Sequence, residues 1–220
     1  MSLTFPQPHT TVYGALLNDR ATIARLEPQF DQPPYKAAPK APVLYIKPRN
    51  TFASDQAVVA IPAEPGVVRI DATIGLVIGK KATRVSAADA MQYVAGYVLV
   101  SDVTLPHENY YRPAIAQRDR DGFCPMGPFV AATPGFVVDQ AQLQIAINGQ
   151  TVYERSFTQL VRPAAQLIAD VTEFMSLSAG DVLLLGPGEA APNAKPGDVV
   201  TIRVAGLGEL QHSVVLEELP

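Results

Sequence analysis

Three arginines, Arg112, Arg118 and Arg120, fall in one short stretch beside Tyr110 and Tyr111. A guanidinium grips a carboxylate through two parallel hydrogen bonds, so this cluster could bind a di- or tricarboxylate. The same cations could instead pair with Asp119 and Asp121 in a self-neutralised loop, and the residue types leave both readings open. Other reactive groups are sparse. His9, His107 and His212 lie far apart without metal-ligand spacing, and His107, near Asp102, reads as a loop histidine. Cys124, between Phe123 and Pro125 in an apolar stretch, reads as a buried free thiol rather than a nucleophile. Gly186-Pro187-Gly188 is not followed by G-K-[ST], so it is no phosphate loop.

These residues must be held by a packed scaffold. The 220 residues are 48% hydrophobic and 17% charged, which suits one domain of ordinary to large size, or two small ones, and argues against disorder. A net charge of −4 with scattered basic residues gives no nucleic-acid footprint. One cysteine cannot form an internal disulfide and suits a reducing cytoplasm, the expected location. The first residues lack the charged and apolar regions of a signal peptide. No apolar run approaches the roughly 20 residues of a spanning helix, so no membrane partner is expected.

Twenty prolines and fifteen glycines, spread along the chain, point to many short strands separated by turns. Strands are expected over 11–18, 43–46, 57–61, 67–78, 94–101, 129–132, 143–147, 151–153, 182–185, 199–204 and 209–216. The run 67–78 alternates only partly and reads as a central strand buried on both faces; 43–46 also looks buried. The strand 94–101 should deliver Asp102 at its carboxyl end. Asn148-Gly149 is the strongest hairpin signal. Helices are expected over 20–30, stopping near Pro28, over 87–93 behind an S-x-x-D box at Ser86 and Asp89, and over 164–175 behind Pro163, with Ala164, Leu167, Ile168, Val171, Phe174 and Met175 on its apolar face. Residues 31–42, with Pro33, Pro34, Pro39 and Pro42, should be irregular, and 103–128 should be a long loop. The whole reads as a β-dominated α+β domain. Residues 1–42 are expected as an N-terminal segment packed on the core and 43–220 as the main domain.

The stretch from Asp71 to Lys80, then Ser101-Asp102-Val103-Thr104 and Gly122-Phe123-Cys124-Pro125-Met126-Gly127-Pro128, resembles the fumarylacetoacetate hydrolase family. Lys47-Pro48-Arg49-Asn50-Thr51, Tyr111-Arg112-Pro113 and Pro196-Gly197-Asp198 extend the likeness over roughly residues 12–218. The resemblance implies a mixed β-sandwich or β-roll core with two or three short helices. It also implies two-fold pairing into a homodimer, or a heteromer with a catalytic paralogue, and small polycarboxylate substrates.

In that family an E-x-E pair and a later aspartate hold Mg²⁺ or Mn²⁺, a hard ion that takes oxygen ligands. Here Asp71 stands at the first glutamate, Thr73 at the second, and Asp102 at the aspartate. Two positions apart on a strand, Asp71 and Thr73 share a face, but they supply one carboxylate and one hydroxyl. Either the metal binds weakly or Asp71 and Asp102 are hydrogen-bonded strand-end acids. The family's His–Glu pair falls on Asn18 to Arg25, which holds no histidine or glutamate in register, so no general base is present and no catalytic residue is assigned. The arginine of N-D-x-x-x-R-D falls on Pro106, the substrate-contacting threonine of G-T-P on Pro187, and a lysine on Arg118. Lys47, Tyr111, Arg112 and Arg118 are the substrate-binding candidates. The likeness is closer still to tandem members of the family that act as isomerase/decarboxylases of aromatic catabolism, in which one half keeps the full motif set and the other has lost it as here. The expected function is a subunit of such an enzyme with a degenerate metal site, or a non-catalytic subunit that binds and stabilises a catalytic paralogue.

Overall fold

A computed structural model describes residues 10–107 and 112–218. His9, Tyr110 and Tyr111 lie outside the described residues. The fold is the expected β-dominated α+β domain, with three α-helices and a set of single 3₁₀ turns among the described residues.

The strands in chain order are β1 (Val12–Leu16), β2 (Val43–Lys47), β3 (Phe52–Ser54), β4 (Ala57–Ile61), β5 (Val68–Ile78), β6 (Val94–Thr104), β7 (Cys124–Met126), β8 (Val130–Ala131), β9 (Gln142–Ile147), β10 (Gln150–Ser156), β11 (Val182–Leu184), β12 (Asn193–Ala194), β13 (Val199–Val204) and β14 (Gly208–Leu216). The helices are α1 (Arg20–Phe30), α2 (Ile115–Arg118) and α3 (Ala164–Thr172). One mixed sheet runs β2-β1-β11-β5-β6-β7-β3, with β12 added to β5 and β8 to β6. A second runs β10-β9-β13-β14-β4.

The β-branched runs of β5 and β6 pair antiparallel at the centre of the larger sheet, and their period of two separates two environments. Ile70, Ala72, Ile74 and Leu76 of β5, with Leu99 and Val103 of β6, join the main core shared with Leu143, Ile145, Ile202 and Leu210 of the smaller sheet. Val77, Val98 and Val100 turn the opposite way, into a second apolar cluster with Val12, Cys124, Met126, Val182 and Leu184. Both strands are therefore buried on both faces, as the apolar run at 67–78 implied. The β9–β10 hairpin turns through Asn148 (φ 53°) and Gly149 (φ 81°), the left-handed pair that a two-residue turn requires.

Several elements differ from the sequence reading for identifiable reasons. Helix α1 passes Pro28 and ends at Phe30, because a proline in the last turn costs little helix beyond it; Asp19 caps its start by accepting from Thr22 N at 3.0 Å. Strand β2 is a sheet edge and only half-buried, with Ile46 53% exposed, since only β1 pairs with it. The 87–93 helix is a 3₁₀ turn at Ala90–Tyr93. Ser86 does bond Asp89 (2.7 Å), but the chain re-enters the sheet at Val94 before further turns can form. Helix α3 stops at Thr172, whose carbonyl accepts from Arg84, leaving Phe174 exposed beyond its end. The 103–128 excursion contains α2 and β7, and β6 runs on to Thr104, so Asp102 lies within the strand.

Candidate functional site

Register sets the site. Asp71 of β5 pairs directly with Asp102 of β6, and Thr73 pairs with Val100, so all four side chains share the face of the smaller apolar cluster. Asp71 is 1% exposed and Asp102 0%. Two carboxylates so placed repel each other and need buried cations.

Those cations come from three elements. Arg118, the last residue of α2, donates through Nη1 to Asp102 Oδ2 at 2.6 Å and through Nη2 to Asp71 Oδ2 at 2.8 Å. Lys47, the last residue of β2, places Nζ 3.1 Å from Asp102 Oδ1 and donates to the Arg118 carbonyl. Arg69, two residues before Asp71 on the same strand, donates through Nε to Asp71 Oδ1 at 2.9 Å and through Nη1 to the His107 carbonyl at 3.3 Å. Tyr45 donates its hydroxyl to Asp102, and its ring lies 4.9 Å from the Arg118 guanidinium carbon. Two carboxylates thus meet three cations, leaving one net positive charge in the cluster.

Burial alone would raise the Asp102 carboxyl, but Arg118 and Lys47 outweigh it and hold the group below its ordinary value. Burial, reinforced by Asp102, pushes the Tyr45 phenol well up, so it stays a donor. Burial also raises nearby Asp119.

Four of the sequence candidates therefore converge: Asp71, Asp102, Lys47 and Arg118. Thr73 is fully buried on the same face, and its Oγ1 has no hydrogen-bond partner among the described residues. Arg112 stands apart, exposed at the rim of a cavity of about 520 Å³ walled by Leu44, Ile46, Pro113 and Ile115 with Arg118 at its base. A smaller cavity, about 240 Å³, opens on Arg69, Asp71, Arg25, Pro187 and Gly188. Arg25 there pairs with Glu189 at 2.8 Å. Arg120 pairs with Glu217, and Asp121 accepts from Asn50 at 2.8 Å. His212 bonds Ser101, the neighbour of Asp102 on β6 whose side chain takes the opposite face, at 2.9 Å, and the Cys124 thiol is pushed up to about 12 by burial. Tyr45 and Arg69 escaped the sequence reading. The i, i+2 rule would have found both, since Tyr45 shares a strand face with Lys47, and Arg69 with Asp71.

A divalent ion would need the same carboxylate oxygens. Both oxygens of Asp71 and both of Asp102 face cationic side chains, and the third position is the hydroxyl of Thr73. No group of three or more His, Cys, Asp or Glu able to hold a metal occurs among the described residues. As arranged, these residues do not fit Mg²⁺ or Mn²⁺. The segment aligned with a His–Glu pair is the start of α1, where Asn18 donates to the Leu185 carbonyl at 3.0 Å and Asp19 serves as the cap.

The family profile described as Fumarylacetoacetate (FAA) hydrolase C-terminal matches residues 11–215. The 4-hydroxyphenylacetate degradation bifunctional isomerase/decarboxylase of Escherichia coli is 41% identical over 207 residues, covering 94% of this chain and 47% of that protein. The chain spans about half the length of the curated relatives it matches. The crystal structure of 5-carboxymethyl-2-hydroxymuconate delta-isomerase from Mycobacterium smegmatis superposes with a TM-score of 0.80 at 25% identity, covering 96% of this chain and 80% of that one. Fumarylpyruvate hydrolase from Pseudomonas aeruginosa, solved with Mn²⁺ and pyruvate, shares the fold at a TM-score of 0.80 and 22% identity, over 94% of this chain and 90% of that one.

Proposed function

The chain belongs to the fumarylacetoacetate hydrolase family, and on that premise we propose that it serves 4-hydroxyphenylacetate degradation as the non-catalytic half of an isomerase/decarboxylase. The reaction would be that of 5-oxopent-3-ene-1,2,5-tricarboxylate decarboxylase and 2-hydroxyhepta-2,4-diene-1,7-dioate isomerase. Chemistry would be carried by a paralogous half with a complete metal and His–Glu set, to which this chain binds. Support for the pathway comes from the 41% identity to half of the E. coli enzyme.

One observation carries the non-catalytic reading: Arg118 bridges Asp71 and Asp102, the carboxylates a metal would use. An unsaturated 2-oxo acid can lose as CO₂ a carboxylate whose bonding electrons flow through the double bond into the oxo group, a bound cation accepting the developing enolate charge, and the isomerisation needs a base to move a proton. In this chain the guanidinium is committed to two carboxylates, and Asn18 and Asp19 hold backbone where a base would stand. What remains is binding. Arg112, exposed at the rim of the larger cavity, is placed to meet a carboxylate of a polycarboxylate ligand.

The test is a coupled assay with 5-oxopent-3-ene-1,2,5-tricarboxylate and added Mg²⁺ or Mn²⁺. The chain alone should give no turnover. Adding a paralogue with the intact E-x-E and His–Glu set should give turnover, and the two should co-elute on size exclusion. Robust turnover by the chain alone would overturn the proposal.

A further inference from the structure

We infer that Arg118 is a tethered cation that takes the place of a divalent ion, and that Asp71, residue 73 and Asp102 form a latent metal site that Arg118 holds closed. The inference deepens the proposed function and rests on the same site. Its readout is metal affinity, so it stands or falls separately from turnover.

Geometry gives the first argument. The Arg118 guanidinium is 3% exposed and touches one oxygen of each carboxylate, at 2.8 and 2.6 Å, so it lies between the two groups. A metal ion bridging the same oxygens, at the roughly 2.0–2.6 Å of Mg²⁺ or Ca²⁺ contacts, would have to occupy the same space. The two cations exclude each other.

Charge gives the second. At present Asp71 and Asp102 face Lys47, Arg69 and Arg118, and one positive charge is left over. Neutralising Arg118 alone leaves the cluster balanced, so a divalent ion would bring two uncompensated charges into a buried site. Replacing Thr73 by glutamate alone also leaves it balanced, with the guanidinium still in the way. Both changes together leave three carboxylates against Lys47 and Arg69. One divalent ion then restores the single positive charge that these directly paired groups carry now. Metal binding should therefore require the pair of substitutions, and neither suffices.

A third observation points to position 73. Thr73 lies two residues along β5 from Asp71, on the same face and fully buried, and its Oγ1 is left without a hydrogen-bond partner among the described residues. A buried hydroxyl without a partner is costly. A ligating side chain at this position would face into the cluster, and deleting the Arg118 side chain supplies the volume that the longer glutamate needs.

The experiment is Mn²⁺ titration followed by the electron paramagnetic resonance of the free ion. It compares the wild-type chain, Thr73→Glu, Arg118→Ala and the double variant, each checked for folding by circular dichroism. Wild type should leave the free-ion spectrum unchanged. The double variant should bind one Mn²⁺ roughly 100-fold more tightly than either single variant, the upper range of coupling between contacting residues. Its melting temperature should rise with Mn²⁺ and fall with EDTA, whereas that of wild type should follow neither. Stoichiometric Mn²⁺ uptake by wild type or by Thr73→Glu would overturn the inference, since Arg118 would not be excluding metal. A folded double variant that leaves the spectrum unchanged would overturn it equally. Arg118→Met combined with Thr73→Glu, which keeps more apolar volume, serves if the alanine variant does not fold.

Discussion

Asp71 and Asp102 stand opposite each other on one rung of the central β5–β6 ladder, both buried, with the fork of Arg118 between them. Paired like charges in a dry strand interface are destabilising unless a cation of matching geometry separates them. The same contact engages carboxylate oxygens that a metal ion would need.

Arg118→Met should therefore destabilise the fold by roughly 3–5 kcal/mol, the range for breaking a buried ion pair from one side. Arg118→Lys should recover only part of this, because a single ammonium cannot bridge two carboxylates as a fork does. Urea unfolding of the three proteins measures both. A loss under about 1 kcal/mol for Arg118→Met would show that Lys47 and Arg69 alone satisfy the carboxylates.

Acid should act in two separate windows. Burial lowers His212 from 6.5 to about 4, so the unfolded chain takes up its proton first. The stability this neutral histidine contributes is full above pH 6.5 and is lost as pH falls toward 4, on the order of 3 kcal/mol in all. His212→Gln should flatten the stability profile between those values. Asp102 is held below its ordinary value, so its contribution persists above the unfolded aspartate range near 3.9. It disappears only as pH falls through the lower folded value. Urea midpoints across pH 3 to 8, for wild type and His212→Gln, separate the two; an unchanged slope in the variant refutes the histidine assignment.

Cys124 is fully buried and its thiol is pushed up to about 12, so little thiolate exists at neutral pH. An aromatic disulfide reagent should leave the native protein unlabelled and titrate one thiol after denaturation. Rapid labelling of the native state would place this strand in solvent.

Gly186 has φ +96°, and a Cβ there would stand 2.0 Å from the Ala15 carbonyl oxygen. Its own carbonyl accepts from buried Arg155 at 2.6 Å, tying the loop beside the smaller cavity to the β10 strand. Gly186→Ala must displace backbone and should cost more than about 3 kcal/mol. Gly149→Ala, at a positive φ with open space around it, should cost about 1 kcal/mol. Equal melting temperatures for the two variants would contradict this difference.

Much of the frame could be read from the chain itself. The long apolar, β-branched run with only partial alternation marked β5 as a central strand, Asn148-Gly149 marked the β9–β10 hairpin, and the i, i+2 spacing put Asp71 and Thr73 on one face. These are properties of neighbouring residues, set by the two-residue period of a strand and the few turns that join strands. Where helices end was harder to read, because contacts far along the chain decide it, as Arg84 does for α3. The partners of the charges were harder still. Arg118 and Arg120 lay beside Asp119 and Asp121 in sequence, yet one reaches Asp71 and Asp102 and the other Glu217. Ion pairing depends on which elements the sheet order brings together, and β2, β5, β6 and α2 meet at this site only after the larger sheet has closed. Residue types and spacing determined that Asp71 and Thr73 share a strand face; only the tertiary structure decided that Asp102 stands opposite Asp71 and that Arg118, Lys47 and Arg69 pair with the two carboxylates.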